Sequence, residues 1–544
     1  MLKDAAIALS LANLCFVKVW SKLLSSANSY FGEFPIVYAS IVIDVLLLAV
    51  LFWGAITLAR RSGRVWAMTL ARWAFLLAVI TVLNGVATLV VTFSPYNLSA
   101  LMGRTVVSIL GLTLTGLAVF SLIRWARLVT HTGPKLILAL LPFVFLTFSQ
   151  SIWRLVSFTP VAIAAVAHQP NGAVSEVHPS HKTPATRVLW LIFDEMDQRM
   201  TFSERPASVQ LPELDRLRSQ SLYATNAYPP APLTYMSMPA LISGRLVEKV
   251  TPVSTHELML TFAGSAKPVG WSTQPSVFSD ARNSGYNTAL IGWCHPYCDV
   301  IGGGLTTCDV VKEKTTGDVS LQSSMFAQAQ GLISTIPLVQ RIALPLIQRV
   351  AFINQIVTHG ERRKYLVRYQ FVLNGALKAV TNPDLDLIMV HSPAPHPPGI
   401  YNRATGTFSL AGDRGYLDNL ALVDRTVGEL RRAMERDGTW NQTTVVISAD
   451  HWWRTEMWSR GPFLTKEDAA LSGTKMDHRI PFVVKLAGQQ EPIIYDHPFN
   501  TILTHDLLLA LLRGEVSSPQ TVAAWLDAHR TIGDSPYNRD ELLP

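Results

Sequence analysis

The chain has 544 residues, of which 49% are hydrophobic and 16% charged, and its mean hydropathy is +0.25. Soluble domains carry about 25% charged residues, so a wholly soluble chain and a disordered one are both excluded. The net charge of +7 is unevenly spread: residues 1–165 hold 12 Lys and Arg against 3 Asp and Glu, and the rest is slightly acidic. A basic surplus confined to the most hydrophobic third argues against nucleic-acid binding and for a membrane domain with positive flanks.

Five apolar runs, at about 5–25, 36–59, 66–93, 105–123 and 136–156, are each long enough to span a hydrocarbon core about 30 Å thick. Lys3 precedes the first, Arg60, Arg61 and Arg64 follow the second, and Arg124, Arg127 and Lys135 follow the fourth. The other connections carry almost no basic residues. The positive-inside rule then places the N-terminus in the cytoplasm and everything after the fifth run outside it. Lys18 and Asp44 fall inside the first two runs at similar depth. A structural ion pair, a snorkelling lysine or a lipid head group would each offset their cost.

Residues 161–186, rich in Pro, Ala, Ser and His, read as a linker between a membrane domain (1–160) and an external domain (187–544). From residue 187 short apolar runs recur at 188–193, 287–292, 386–390, 443–448 and 481–486. They alternate with helical patterns such as 416–436, which predicts an α/β fold with a mainly parallel central sheet. Between the first two runs, Thr234 and Ser237 lie one helical turn apart. A helix starting near Thr234 puts its hydroxyl where free N–H groups and the helix dipole favour an incoming phosphate or sulfate; an ordinary helix cap is the alternative. Cys294, Cys298 and Cys308 lie in the external domain, where disulfides form. One bridge is expected among them, with Cys298–Cys308 favoured and the pairing open. Residues 332–357 are apolar and lack acids. They read either as a core helix or as an amphipathic segment on the membrane surface, and Pro337 and Pro345 argue against one long helix.

In parallel sheets, ligands bind beyond the carboxyl ends of the strands. Asp194 and Glu195 follow the first run, His295 the second, His391 and His396 the third, and Asp450 and His451 the fourth; Asp477, His478 and Arg479 precede the last. Carboxylates and imidazoles gathered at one sheet edge suit a divalent metal of the zinc or manganese type.

These stretches together resemble the alkaline phosphatase/sulfatase superfamily over residues 187–515. VLWLIFDE is similar to its first metal strand, ISADH to its second metal motif, and SGYNTALIGWCH to G-Y-x-T-x-x-x-G-K-W-H, with Trp293 in place of the lysine. Counted back from Ser243-Gly244-Arg245, Thr234 occupies the place of the sulfatase nucleophilic cysteine, which excludes formylglycine chemistry. Thr234, Ser237 and Pro239 look more like the phosphoethanolamine transferases of the bacterial envelope. Five spans before an external catalytic domain is also the architecture of those enzymes and of lipoteichoic acid synthases.

The resemblance implies one divalent metal on Glu195, Thr234, Asp450 and His451, with Asp194 as a fifth ligand or a supporting group. It implies His391, His396 and His478 at the transferring group, and a second metal on His391 and His396 remains open. Ser237, His295 and Arg479 are further candidates for substrate contact. The implied activity is transfer of a phosphorylated head group from a membrane lipid to a glycan or lipid acceptor, through a phospho-threonine. The alternatives are a phosphodiesterase or sulfate-ester hydrolase, and a non-catalytic lipid sensor or transporter retaining the fold. The expected location is the cytoplasmic membrane, with the catalytic domain in the periplasm.

Overall fold

The computed structural model describes residues 1–24, 35–92, 120, 124–156, 187–254, 256–312, 321–333, 335–336, 351–459, 463–472, 475–530 and 541–542. The chain divides into two compact units, one of residues 1–161 and 317–353, the other of 162–316 and 354–543. The expected linker 161–186 lies outside the described residues.

The first unit contains α1 (Leu2–Cys15), α2 (Val17–Leu23), α3 (Pro35–Ser62), α4 (Val65–Thr92), α5 (Ala126–Ala139) and α6 (Leu141–Val156). Two helices, Ile36–Ser62 and Val65–Ala87, are long and apolar enough to cross a membrane. Leu128–Ala139 and Leu141–Val156, joined at a bend of 41°, make a third if they form one span. The first expected run breaks at Phe16 into α1 and α2, and α1 buries Ile7, Leu11 and Cys15. The run at 105–123 lies outside the described residues apart from Phe120. Buried hydroxyls tie α1 to its neighbours: Ser10 Oγ donates to the Ile137 carbonyl at 2.6 Å, and Thr147 Oγ1 to Asn13 Oδ1 at 3.2 Å. Such bonds are the glue of helices packed in lipid.

An ion pair between Lys18 and Asp44 does not form. Asp44 Oδ2 is buried without a hydrogen-bond partner, and among the described residues of this unit Asp4 pairs with Arg60. The break at Phe16 makes Lys18 open a new helix instead of extending the line of the first. The external domain was expected to run unbroken over residues 187–544. Its helix Leu321–Ile333 instead packs on α2 and α3 in the first unit. Of the expected segment 332–357, residues 334 and 337–350 lie outside the described residues.

The second unit is built on a nine-stranded sheet. Its strands are β1 (Arg187–Phe193), β2 (Leu222–Tyr228), β3 (Thr288–Cys294), β4 (Thr307–Lys312), β5 (Leu387–Ser392), β6 (Thr443–Ala449), β7 (Ile480–Lys485), β8 (Ile493–Tyr495) and β9 (Phe499–Asn500). The order is β8-β2-β7-β6-β1-β5-β3-β4, with β9 also beside β2. Strands β6, β1, β5 and β3 and the edge strand β4 are parallel, and β7 runs antiparallel to both β6 and β2. The sheet is therefore mixed and mostly parallel. Strands β1, β3, β5, β6 and β7 are buried nearly throughout, which is why they read as continuous apolar runs instead of alternating ones. Helix α7 (Thr234–Ser243) follows β2, and α8 (Tyr416–Arg436) buries Leu417, Leu420, Val423, Val427 and Leu430 at helical spacing.

Candidate active site

The register of the three central strands brings the chemistry together. Phe193 of β1 lies opposite Ala449 on one side and Ser392 on the other. The residues that follow, Asp194 and Asp450, therefore leave the sheet side by side, with His451 next along. Asp194, Asp450 and His451 are all buried, and one ligand atom of each lies within 4.8 Å of the others. His451 Nε2 is 3.3 Å from Asp194 Oδ1 and 3.4 Å from Asp450 Oδ2.

Thr234 opens α7 beside this group. Its hydroxyl is 3.2 Å from His451 Nε2 and 3.5 Å from Asp194 Oδ2. The helix cap is Leu233, with no side-chain cap bond. The Thr234 hydroxyl therefore plays no capping role and is turned to the acids and the imidazole.

The donor set fits a divalent metal. His451 Nδ1 is 3.0 Å from the Trp452 carbonyl. That contact puts the ring proton on Nδ1 and turns the Nε2 lone pair toward Asp194 and Asp450. Burial pushes the His451 pKa well below its ordinary value, and Arg454 pushes it further down. A neutral imidazole lone pair facing two carboxylates is repulsive unless a cation lies among them. Asp450 Oδ2, buried and without a hydrogen-bond partner, is a further ligand atom of this kind. Two carboxylates and an imidazole suit a divalent metal. Among the described residues this is the one group of three such ligands, and His391 and His396 are not part of it.

Glu195 is a correction. Its carboxylate turns away from the group, accepting from Arg454 Nε and Trp458 Nε1 at 2.9 Å each. The reason is the backbone. Glu195 has a φ of 69°, a left-handed conformation that costs a non-glycine residue about 1–3 kcal/mol. Its N–H reaches Asp450 Oδ1 at 3.2 Å, and its carbonyl accepts from the Tyr416 hydroxyl at 2.9 Å. Asp194, expected as an addition, is thus the acid of this strand that faces the site. Burial pushes the Glu195 carboxyl up, against Arg454 and Trp458, which hold it down. Both of its oxygens are filled by N–H donors.

Ser237 is a second correction. It is buried and donates to the Asp450 carbonyl, so it ties α7 to the end of β6 and does not face a substrate. Arg479 is a third, for its guanidinium is spread across the Asp477 carboxylate at 2.5–3.1 Å. His295 is also buried. Its Nε2 donates to the Thr234 carbonyl at 3.0 Å, which positions the first turn of α7.

The remaining imidazoles line an aromatic wall. His391 Nδ1 meets the Tyr297 hydroxyl at 2.8 Å, and its Nε2 is buried without a hydrogen-bond partner. Burial, with His295 and His396 nearby, holds His391 well below its ordinary pKa. The Trp293 ring centre lies 6.2 Å from that of His391 and 5.5 Å from that of His396. His396 Nδ1 is 2.9 Å from the Pro397 carbonyl. His478 stacks on Trp452 at 3.9 Å; because β7 is antiparallel, its start lies at the edge where the parallel strands end. Tyr297, Arg454, Trp458 and Tyr416 were not singled out from the sequence. Arg454 alone left a signal there, three residues after His451 in the same loop. Cys298 and Cys308 are joined by a disulfide, and Cys294 is a buried thiol.

A pH test follows from His295, whose pKa burial lowers from 6.5 to about 4. The unfolded chain takes up this proton near 6.5 and the folded chain only near 4. The His295 contribution to stability is therefore full above pH 6.5 and is lost as pH falls through that window. Measured by denaturation against His295→Gln, the difference should shrink by about 3 kcal/mol over that range. A difference that stays constant with pH would show that His295 is not held neutral.

Residues 186–513 match the family model described as Sulfatase. No curated protein matches the chain. Similar solved structures include a protein in the alkaline phosphatase superfamily from Vibrio parahaemolyticus, with 13% identity over 64% of this chain and 72% of that one, at a TM-score of 0.37. The phosphonate monoester hydrolase of Agrobacterium radiobacter has 14% identity over 60% and 74%, at 0.37. The lipoteichoic acid synthase LtaP from Listeria monocytogenes has 15% identity over 64% and 76%, also at 0.37.

Proposed function

The chain belongs to the sulfatase family and is an enzyme of phosphoryl or sulfuryl transfer or hydrolysis; from that premise we propose that it moves a phosphorylated head group from a membrane lipid to an envelope glycan or lipid through Thr234. The observation that carries this reading is the Thr234 hydroxyl, free of any capping role, 3.2 Å from His451 Nε2 and 3.5 Å from Asp194. The apolar helices of the first unit support a membrane location, with the catalytic unit outside.

Thr234 Oγ attacks phosphorus, the bond to the lipid oxygen breaks, and the head group stays on Thr234. Its proton passes through a neutral imidazole to the leaving alkoxide, and His391, with Nε2 open, is best suited to carry it. An acceptor hydroxyl then attacks the phospho-threonine and gives up its proton by the same route. His396 and His478 lie beside His391 and His451 to hold phosphoryl oxygens. Asp194, Asp450 and His451 would hold zinc or manganese, which supplies a Lewis acid that lowers the hydroxyl pKa and offsets phosphoryl charge.

Accurate-mass spectrometry of the protein, trapped with a lipid donor and no acceptor, tests this. A phosphate-bearing adduct on the peptide containing Thr234 is expected. A sulfate adduct would move the reading to sulfuryl transfer, and an unmodified peptide during turnover would remove the covalent step.

A further inference from the structure

We propose that Asn419, on α8, is a positioning residue: its side-chain amide clasps the loop 393–400 and so holds the His396 imidazole at the transferring group. The sequence of the loop poses the problem. Residues 392–400 read SPAPHPPGI, with prolines at 393, 395, 397 and 398. Each proline fixes its own φ but has no N–H to donate. The loop is thus rich in carbonyls and poor in donors, while buried carbonyls need partners. Within it, the His396 N–H donates to the Pro393 carbonyl at 3.0 Å. The Pro395 and Pro398 carbonyls are left to find donors elsewhere.

Donors come from helices packed against the loop. The Tyr365 hydroxyl, on the helix Ala351–Val380, donates to the Pro393 carbonyl. Asn419 Nδ2 lies 3.3 Å from the Pro395 carbonyl, 3.1 Å from that of His396 and 3.0 Å from that of Pro398. Asn419 Oδ1 accepts from the Ile400 N–H at 2.9 Å. Two N–H groups are thus shared among three carbonyls, and one side chain grips the loop on both sides of the imidazole. Only an amide offers two donors and an acceptor on so short a stem. Asn419 is fully buried, so water does not compete for these bonds.

The clasp sets the imidazole through the backbone. Pro395 and Pro398 are buried, with His396 half-buried between them. Gly399 abuts the chain just before α8, where a Cβ would run into the Arg414 carbonyl. His396 Nδ1 is held 2.9 Å from the Pro397 carbonyl, inside the clasped stretch, and the ring centre lies 5.5 Å from that of Trp293. Both the origin of the ring and its rotation are therefore fixed by the loop backbone. That backbone is fixed in turn from α8, whose Leu417, Leu420 and Val423 are buried around Asn419.

The inference rests on the reading of His396 as a group that holds phosphoryl oxygens. Full-chain variants assayed on a soluble phosphodiester, with melting temperature and metal content measured on the same samples, test it. Asn419→Ala should keep its metal and lower kcat by up to about 10²-fold, as a displacement of about 1 Å does. Asn419→Ser keeps one donor and should lose less; it replaces the alanine variant in every comparison if that variant does not fold. In a His396→Ala background the same change should cost no further activity, because the group it acts through is already gone. Val427→Ala is the control: it lies eight residues further along α8, among Leu217 and Trp440, and should lower the melting temperature while sparing kcat. An Asn419 loss that persists in full without the imidazole, or an equal kcat loss in Val427→Ala, would make Asn419 a fold-holding group and overturn the inference with His396 left in place. A His396→Ala variant that turns over normally would overturn the reading of His396 and the inference together.

Discussion

Thr234→Ala should lower turnover of a lipid or soluble phosphodiester by at least about 10³-fold, as removal of a covalent nucleophile does. The fold should persist. Leu233 caps α7 with no side-chain bond from Thr234, so alanine removes no cap, and its intrinsic helix preference is higher. The loss should fall on kcat/KM with little change in melting temperature. Thr234→Ser keeps a hydroxyl in the same place and should retain part of the activity. An alanine variant that turns over normally would remove the nucleophile from the scheme, whatever the metal content.

The second large effect separates two adjacent acids. Asp194→Ala, Asp450→Ala and His451→Ala should each lose bound metal by elemental analysis. Their activity should drop beyond the about 10- to 100-fold typical of residues that only support a ligand. Glu195→Ala should keep its metal and pay in stability instead. Glu195 is fully buried against Arg454, itself 10% exposed at the side chain, and stranding a buried partner charge costs about 3–5 kcal/mol. A double change, Glu195→Leu with Arg454→Met, should recover part of that loss, because the two deletions act on one pair. Glu195→Ala that melts normally and loses metal as Asp194→Ala does would return Glu195 to the ligand set.

Much of this architecture was legible along the chain. The central strands announced themselves because they are buried on both faces and so read as unbroken apolar runs. The helix at 416–436 was visible from its spacing. Strand β2, LYATNAY, was not, since its polar residues break the run, and β8 and β9 are too short to leave a pattern. Asp194, Thr234, His391, Asp450 and His451 could all be named, because strand ends and a helix start mark where chemistry gathers in a parallel sheet.

What the sequence alone determined is therefore the N-terminal third rich in apolar helices, the α/β sheet, and the set of residues at its carboxyl edge. Which members of that set face inward was decided by tertiary structure. Asp194 and Glu195 follow the end of β1 in a turn, where strand alternation no longer fixes the direction of a side chain. The turn at Glu195 sends its carboxylate to Arg454, and nothing local to those two letters encodes the choice. The place of helix Leu321–Ile333 was hidden for the same reason. Its outward Phe326 and inward Gln328 make sense only against Val37 and Ser40, which are more than two hundred residues away in sequence and adjacent only once the chain has folded.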